Sequence, residues 1–157
     1  MTQEDKQLLL VDLCGRLPYG VKVQYNGSSI RLMQAINIDE NEPYFKSKEV
    51  AGWLDVKSCK PYLRPIPSMT EEEKGELLNH VLGGEGAEYF HIAHDGSIDG
   101  NQEAEQDLYN LNLPWLNFGP LTTASYIDWL NKKMFDFRGL IPKSLALSTE
   151  EFNPYKD

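Results

Sequence analysis

Val21-Lys22-Val23-Gln24-Tyr25-Asn26-Gly27-Ser28-Ser29-Ile30-Arg31-Leu32 is the stretch whose reading decides the fold. Val21, Val23 and Tyr25 alternate with Lys22 and Gln24, the period of a half-buried strand. Asn26-Gly27 follows, and both residues accept the positive φ that a two-residue hairpin turn demands. A second strand then runs over 30–38. An antiparallel pair is therefore the seed, and it needs further strands or a helix to be stable.

Upstream of the hairpin the period changes. Thr2 is placed to cap a helix on which Leu10, Leu13, Cys14 and Leu17 recur at helical spacing, with Gly15 and Pro18 ending it. On that face Cys14 reads as a small buried hydrophobe. Downstream, the polar residues 39–43 turn the chain. Shorter strands are expected at Tyr44-Phe45, at Trp53 to Val56 and at Tyr62-Leu63. The sum is a helix followed by a meander of short antiparallel strands, for which an SH3-like curl is one way to close.

Pro61, Pro65 and Pro67 then impose an extended passage that cannot be helical inside. It is the expected internal boundary. Beyond it, Thr70 and Glu73 have capping-box spacing ahead of a helix with Leu77, Leu78, Val81 and Leu82 on one side, and Gly83-Gly84 stops it. Ala87 to Ala93 reads as a strand and Asp95-Gly96 as a second hairpin turn. Gln102 to Leu111 reads as either a short helix or a loop. Thr122 or Thr123 is placed to cap a third helix reaching Met134. A short strand is expected near Leu145 to Leu147, and the end at Asn153-Pro154 should be loose. The expected class is α+β: residues 1–67 form a helix plus an antiparallel strand meander. Residues 68–157 form a helix–hairpin–helix segment, either separate or packed with the first as one domain. The echo between Met1-Thr2-Gln3-Glu4-Asp5-Lys6 and Met69-Thr70-Glu71-Glu72-Glu73-Lys74 is read as two helix starts obeying one capping chemistry, since the sequences diverge afterwards.

The 157 residues are 41% hydrophobic and 25% charged, which is ordinary globular composition. With 24 acidic against 15 basic residues the net charge is −9, which disfavours a phosphate backbone as partner. Two cysteines make no disulfide framework. Met1 to Lys6 is acidic and the apolar run behind it is short, unlike a signal peptide, and no stretch has the length of a membrane span. A cytoplasmic location without membrane association is the expectation.

The chemistry-bearing residues are few. His91 and His94 stand three apart on an expected strand and so point to opposite faces. With His80 they make no matched ligand set for zinc. Asp95, Ser97 and Asp99, followed by Gly100, match the opening of an EF-hand calcium loop. Gln106 stands where that loop needs its bidentate acid, and a polar hairpin turn explains the same residues. Gly83-Gly84-Glu85-Gly86 lacks the Lys and Ser/Thr of a P-loop and follows a helix instead of opening one. No nucleophile lies in a family-type context with a histidine. The stretch 115–138 concentrates aromatics next to an arginine. Its residues Trp115, Phe118, Trp129, Phe137 and Arg138 are the candidate partner-binding anchors if they are exposed, and core if they are not.

Four sets of strings occur in order along most of the chain. They are Arg16-Leu17-Pro18-Tyr19-Gly20-Val21-Lys22, Cys59-Lys60-Pro61-Tyr62-Leu63-Arg64-Pro65, Ser68-Met69-Thr70-Glu71-Glu72-Glu73, and Asp128-Trp129-Leu130-Asn131 with Phe135-Asp136-Phe137-Arg138-Gly139-Leu140-Ile141. In these the chain resembles a group of small uncharacterised proteins encoded by gut Bacteroidetes genomes and their phages or prophages. The resemblance implies a phage-like or mobile-element origin. It carries over no activity, cofactor or catalytic residue.

The functional expectation is a non-enzymatic accessory protein that binds another protein and takes no cofactor. Two alternatives stand beside it. One is an enzyme of unrecognised type using a histidine or carboxylate, which requires one of the three histidines beside an acid in a cleft. The other is an acidic mimic of nucleic acid, which requires the carboxylates to line one face. Oligomeric state is not legible.

Overall fold

The computed structural model describes residues 1–39, 42–82, 90–100 and 120–156 of the chain. Its class is α+β. The backbone divides into two compact units, Met1–Pro65 with Asn131–Asp157, and Ile66–Leu130. The boundary falls beside the expected prolines. The segment 131–157, which the division at residue 67 assigns to the second part, instead belongs to the first unit. The reason is strand pairing, described below.

In the first unit, helix α1 (Gln3–Arg16) starts with a full capping box. Thr2 Oγ1 accepts from Asp5 N–H, and Asp5 accepts in return from Thr2 N–H. A six-stranded sheet follows, built from β1 (Lys22–Tyr25), β2 (Ser29–Asp39), β3 (Glu42–Ser47), β4 (Trp53–Asp55), β5 (Cys59–Leu63) and β8 (Leu147–Ser148). The strand order is β4-β3-β2-β1-β5-β8. The β1–β2 hairpin turns as the sequence requires, with Asn26 at φ 50° and Gly27 at φ 71°. The pairs are antiparallel except β5–β8, where Tyr62 faces Leu147 and Leu63 faces Ser148 in parallel. A parallel partner must come from a distant segment, here the last thirty residues of the sequence.

One core joins these elements. Leu9 and Leu13 of α1 pack with Val21, Val23, Met33, Phe45, Val56, Cys59, Leu63 and Leu140. The buried stripe of α1 is Leu9, Asp12, Leu13 and Arg16. Against expectation, Cys14 is exposed. The stripe is rotated by about one residue because its polar members satisfy each other, as shown below. Gly15 does not fray the helix. A Cβ there would stand 2.9 Å from the Asn131 side-chain nitrogen, so glycine allows the helix to approach that residue closely.

The tail is docked, where a loose end was expected. Tyr155 Oη accepts from Lys22 N–H at 2.9 Å and donates to Tyr62 C=O at 3.1 Å. Lys22 Nζ donates to Pro154 C=O, and Phe152 meets the Tyr62 ring edge-on. Backbone groups at the sheet end left without partners would be costly, and a tyrosine hydroxyl serves two of them.

In the second unit, α2 (Glu71–Leu82) opens with the expected capping box between Thr70 and Glu73. The hairpin β6 (Phe90–Ile92) and β7 (Ile98–Gly100) follows, then α3 (Pro120–Lys132). The helix starts at Pro120, ahead of the expected threonine caps. Proline suits the first helical position because it has no N–H to leave unpaired. Tyr126 Oη donates to Gly96 C=O and ties α3 to the hairpin. The reading of 102–111 lies outside the described residues. Among them no helix is long and apolar enough to cross a membrane.

Burial pushes the Tyr155 phenol up to about 12. The folded state therefore holds this proton more tightly than the unfolded chain, whose tyrosine titrates near about 10. Its contribution is intact below about pH 10 and is lost as pH rises from there through about 12. Tyr155→Phe should cost about 1–2 kcal/mol at pH 7, because two part-buried backbone groups lose their partner. It should also flatten the alkaline loss of stability. Urea titrations at pH 7 and above pH 10 read both effects.

Candidate functional site

Among the described residues a densely connected polar cluster forms where α1 meets the chain after α3. Asp12 and Arg16 are one helical turn apart on the buried stripe, and both side chains are fully buried. Arg16 Nε and Nη2 donate to the two Asp12 oxygens at 2.7 and 2.8 Å, a fork-to-carboxylate match. The same Nη2 donates to Phe135 C=O at 2.8 Å. Arg138 Nη1 reaches Asp12 Oδ1 at 3.0 Å and Asn131 Oδ1 at 3.3 Å. Phe137 lies by both guanidinium groups, 4.2 Å from Arg138 Cζ and 5.6 Å from Arg16 Cζ, measured to its ring centre.

The backbone that carries these groups is itself pinned. Arg64 N–H donates to Met134 C=O, and Asp136 N–H donates to Arg64 C=O, making an isolated parallel bridge beside Phe135. The Arg64 guanidinium stacks 4.2 Å over the Phe135 ring. Asp136 accepts from the N–H groups of Leu140 and Ile141, both at 2.8 Å. Met134 adopts φ 61° to turn from the helix into this bridge.

Chemically the cluster is a clasp. Both oxygens of Asp12 are taken by guanidinium donors, and Arg16 has no exposed surface. Arg16 Nη1 is left without a partner among the described residues. Two cations share one carboxylate, and the Phe137 face offsets part of the surplus charge. The described residues bring no thiol, hydroxyl or imidazole into hydrogen-bond contact with this carboxylate. The signal for the clasp was present in the sequence as Asp12-x-x-x-Arg16 interleaved with Leu9 and Leu13, a polar pair on an apolar face.

The sequence-derived candidates lie elsewhere. The strand reading holds for Phe90–Ile92, with Phe90 and Ile92 buried and His91 exposed opposite Asp99. His94 sits exposed in the turn and His80 exposed on α2. Asp95 Oδ1 accepts from Ser97 N–H at 2.9 Å and Ser97 Oγ at 2.7 Å, which closes the hairpin turn. Those donors hold the Asp95 carboxyl below its ordinary range. Gln106 lies outside the described residues. Among the described residues no group of three His, Cys, Asp or Glu side chains is placed to hold a metal ion. Cys59 is buried and its thiol is pushed up to about 12 by desolvation, so it is no ready nucleophile.

Of the aromatic anchors, Trp115 and Phe118 lie outside the described residues. Trp129 is 5% exposed and serves as core. Phe137 and Arg138 belong to the clasp. Among the described residues the exposed large apolar side chains are Met1, Val11, Ile30, Ile38, Trp53 and Phe152. Trp53 on β4 is 49% exposed and Ile30 on β2 is 39% exposed. Pairing register sets their faces. Trp53, Lys46 and Ala35 form one cross-strand row, and Lys60, Gln24 and Ile30 form another. Phe45, Ser47, Tyr25 and Cys59, the sequence neighbours that alternate with them, face the core, so both rows lie on the outer face of the sheet. A bulge between Met33 and Ala35 switches the alternation along β2, so Ile30 and Leu32 before it and Ala35 after it lie on the same face.

No protein-family model, no curated protein and no solved structure matches this chain.

Removing one partner of the clasp strands a buried charge. Asp12→Ala should cost about 3–5 kcal/mol in chemical denaturation. Asp12→Leu combined with Arg16→Met should recover much of that loss, because no buried charge then remains unpaired.

Proposed function

We propose that this is a non-enzymatic accessory protein, of the kind carried by phages and other mobile elements, which works in the cytoplasm by binding another protein. The observation that carries the reading is the exposure of Trp53 and Ile30 on the outer sheet face. Large apolar side chains that the fold leaves in water cost nothing to keep only if they are few and scattered. These two share one face with the half-buried Leu32 and with Ala35 along β2. Tryptophan is the residue type most enriched among side chains that dominate binding energy. Among the described residues no strand pairs with the outer edge of β4 beside Trp53, a feature that partners use for strand addition.

The test is affinity capture from the native host with the wild-type protein and with a Trp53→Ala, Ile30→Ser variant. The reading expects a stoichiometric protein partner that the wild type retains and the variant holds about 30-fold more weakly, as loss of a hot-spot side chain implies. Unchanged circular dichroism and melting temperature would show that the variant is folded. A partner held equally by both proteins, or no stoichiometric partner, overturns it.

A further inference from the structure

From the charge on this same face we infer the chemistry of the partner: a protein segment that is acidic as well as apolar. The inference rests on the protein-binding reading above. Each of the two outer rows joins one large apolar side chain to one lysine, Trp53 to Lys46 and Ile30 to Lys60. Both lysines are exposed. Neither has an ion-pair partner among the described residues. That is notable in a chain with 24 acids to 15 bases, where an acid is the more abundant neighbour.

The acids that share the face are engaged or displaced. Glu42 is held between Lys6 and Lys57. Asp55 turns to cap the following turn by accepting from Lys57 N–H. Asp39 lies opposite Glu42 at the far end of the β2–β3 pair, beyond the row that holds Lys46. Among the described residues, the part of the face that carries these two rows is therefore apolar and cationic, on a protein whose net charge is −9. An acidic segment is repelled by the whole and attracted here, which orients its encounter and fixes where it lands.

The two rows are five residues apart along β2, roughly 15 Å at strand rise. Trp53 and Ile30 are also two strands apart, so a segment of about six extended residues spans them. Only every second side chain of such a segment faces the sheet, so one whose sheet-facing positions are in turn apolar and acidic would set its apolar members on Trp53 and Ile30 and its carboxylates towards Lys46 and Lys60. Single-stranded nucleic acid is the competing occupant of a sheet with a tryptophan and lysines. It is less well served, because Ile30 and Leu32 offer no stacking surface and two lysines in a −9 chain make a poor track for phosphates.

The probes are a fluorescein-labelled ten-residue peptide with Ile and Glu in turn at every second position and Ser between them, the same peptide with Lys for Glu, and a labelled oligo-dT of ten nucleotides. Fluorescence anisotropy is measured with wild type, Lys46→Glu with Lys60→Glu, and Trp53→Ala. Binding of the Glu–Ile peptide is expected to weaken at least 10-fold in both variants and to fall with added salt. Oligo-dT should not bind. Equal or tighter binding of the Lys-containing peptide, binding of oligo-dT at the same face, or failure of the Glu–Ile peptide to bind would overturn the inference. The two readings separate in the capture experiment. If the host partner is lost with Trp53→Ala, Ile30→Ser but retained with the lysine reversals, protein binding stands and the acidic segment falls.

Discussion

The pairing of Asp12 with Arg16 inside the core is the constraint on which the first unit depends. A charge with no access to water must be met in place, and each is met by the other. The remaining donor capacity is directed at chain far away in sequence, the Phe135 carbonyl. Arg138 then returns to the same carboxylate from that distant chain. The helix is thereby joined to residues that follow it by more than a hundred positions. Hydrophobic packing alone would give burial without such directional registration.

The strands and turns of the first unit were legible because they depend on local chemistry. The Asn26-Gly27 turn, the alternation around Val23 and the capping at Thr70 each rest on neighbours a few residues apart. The same holds for the echo between the two helix starts, which are both capping boxes. What was not legible depends on contacts between distant positions. The buried face of α1 was misphased by about one residue, because an apolar periodicity count gives no weight to a charged pair that neutralises itself. Gly15 read as a helix breaker, yet its reason is the approach of Asn131. The docked tail could not be foreseen from Asn153-Pro154, since its anchor is a backbone pair at Lys22 and Tyr62.

The candidate surface divides in the same way. Aromatic density drew attention to residues 115–138, where Trp129 proves to be core and Phe137 part of an internal stack. Trp53 is an isolated aromatic in a short strand, and composition gives it no prominence. Its exposure follows from strand order: β4 is an outer strand of the sheet, and Trp53 lies on the side opposite Phe45. Arg16, Arg64 and Phe135, far apart in sequence, meet in space.

The parallel pairing of β5 with β8 has a consequence for synthesis. When the ribosome has reached Pro65, β5 has β1 as a sheet neighbour and lacks β8, and Arg16 has no Phe135 carbonyl to meet. The intervening 65 residues must emerge before the missing pieces exist. The nascent chain thus carries an open strand edge and an incompletely satisfied guanidinium while those residues are made, a state that favours engagement by chaperones and is vulnerable to premature termination.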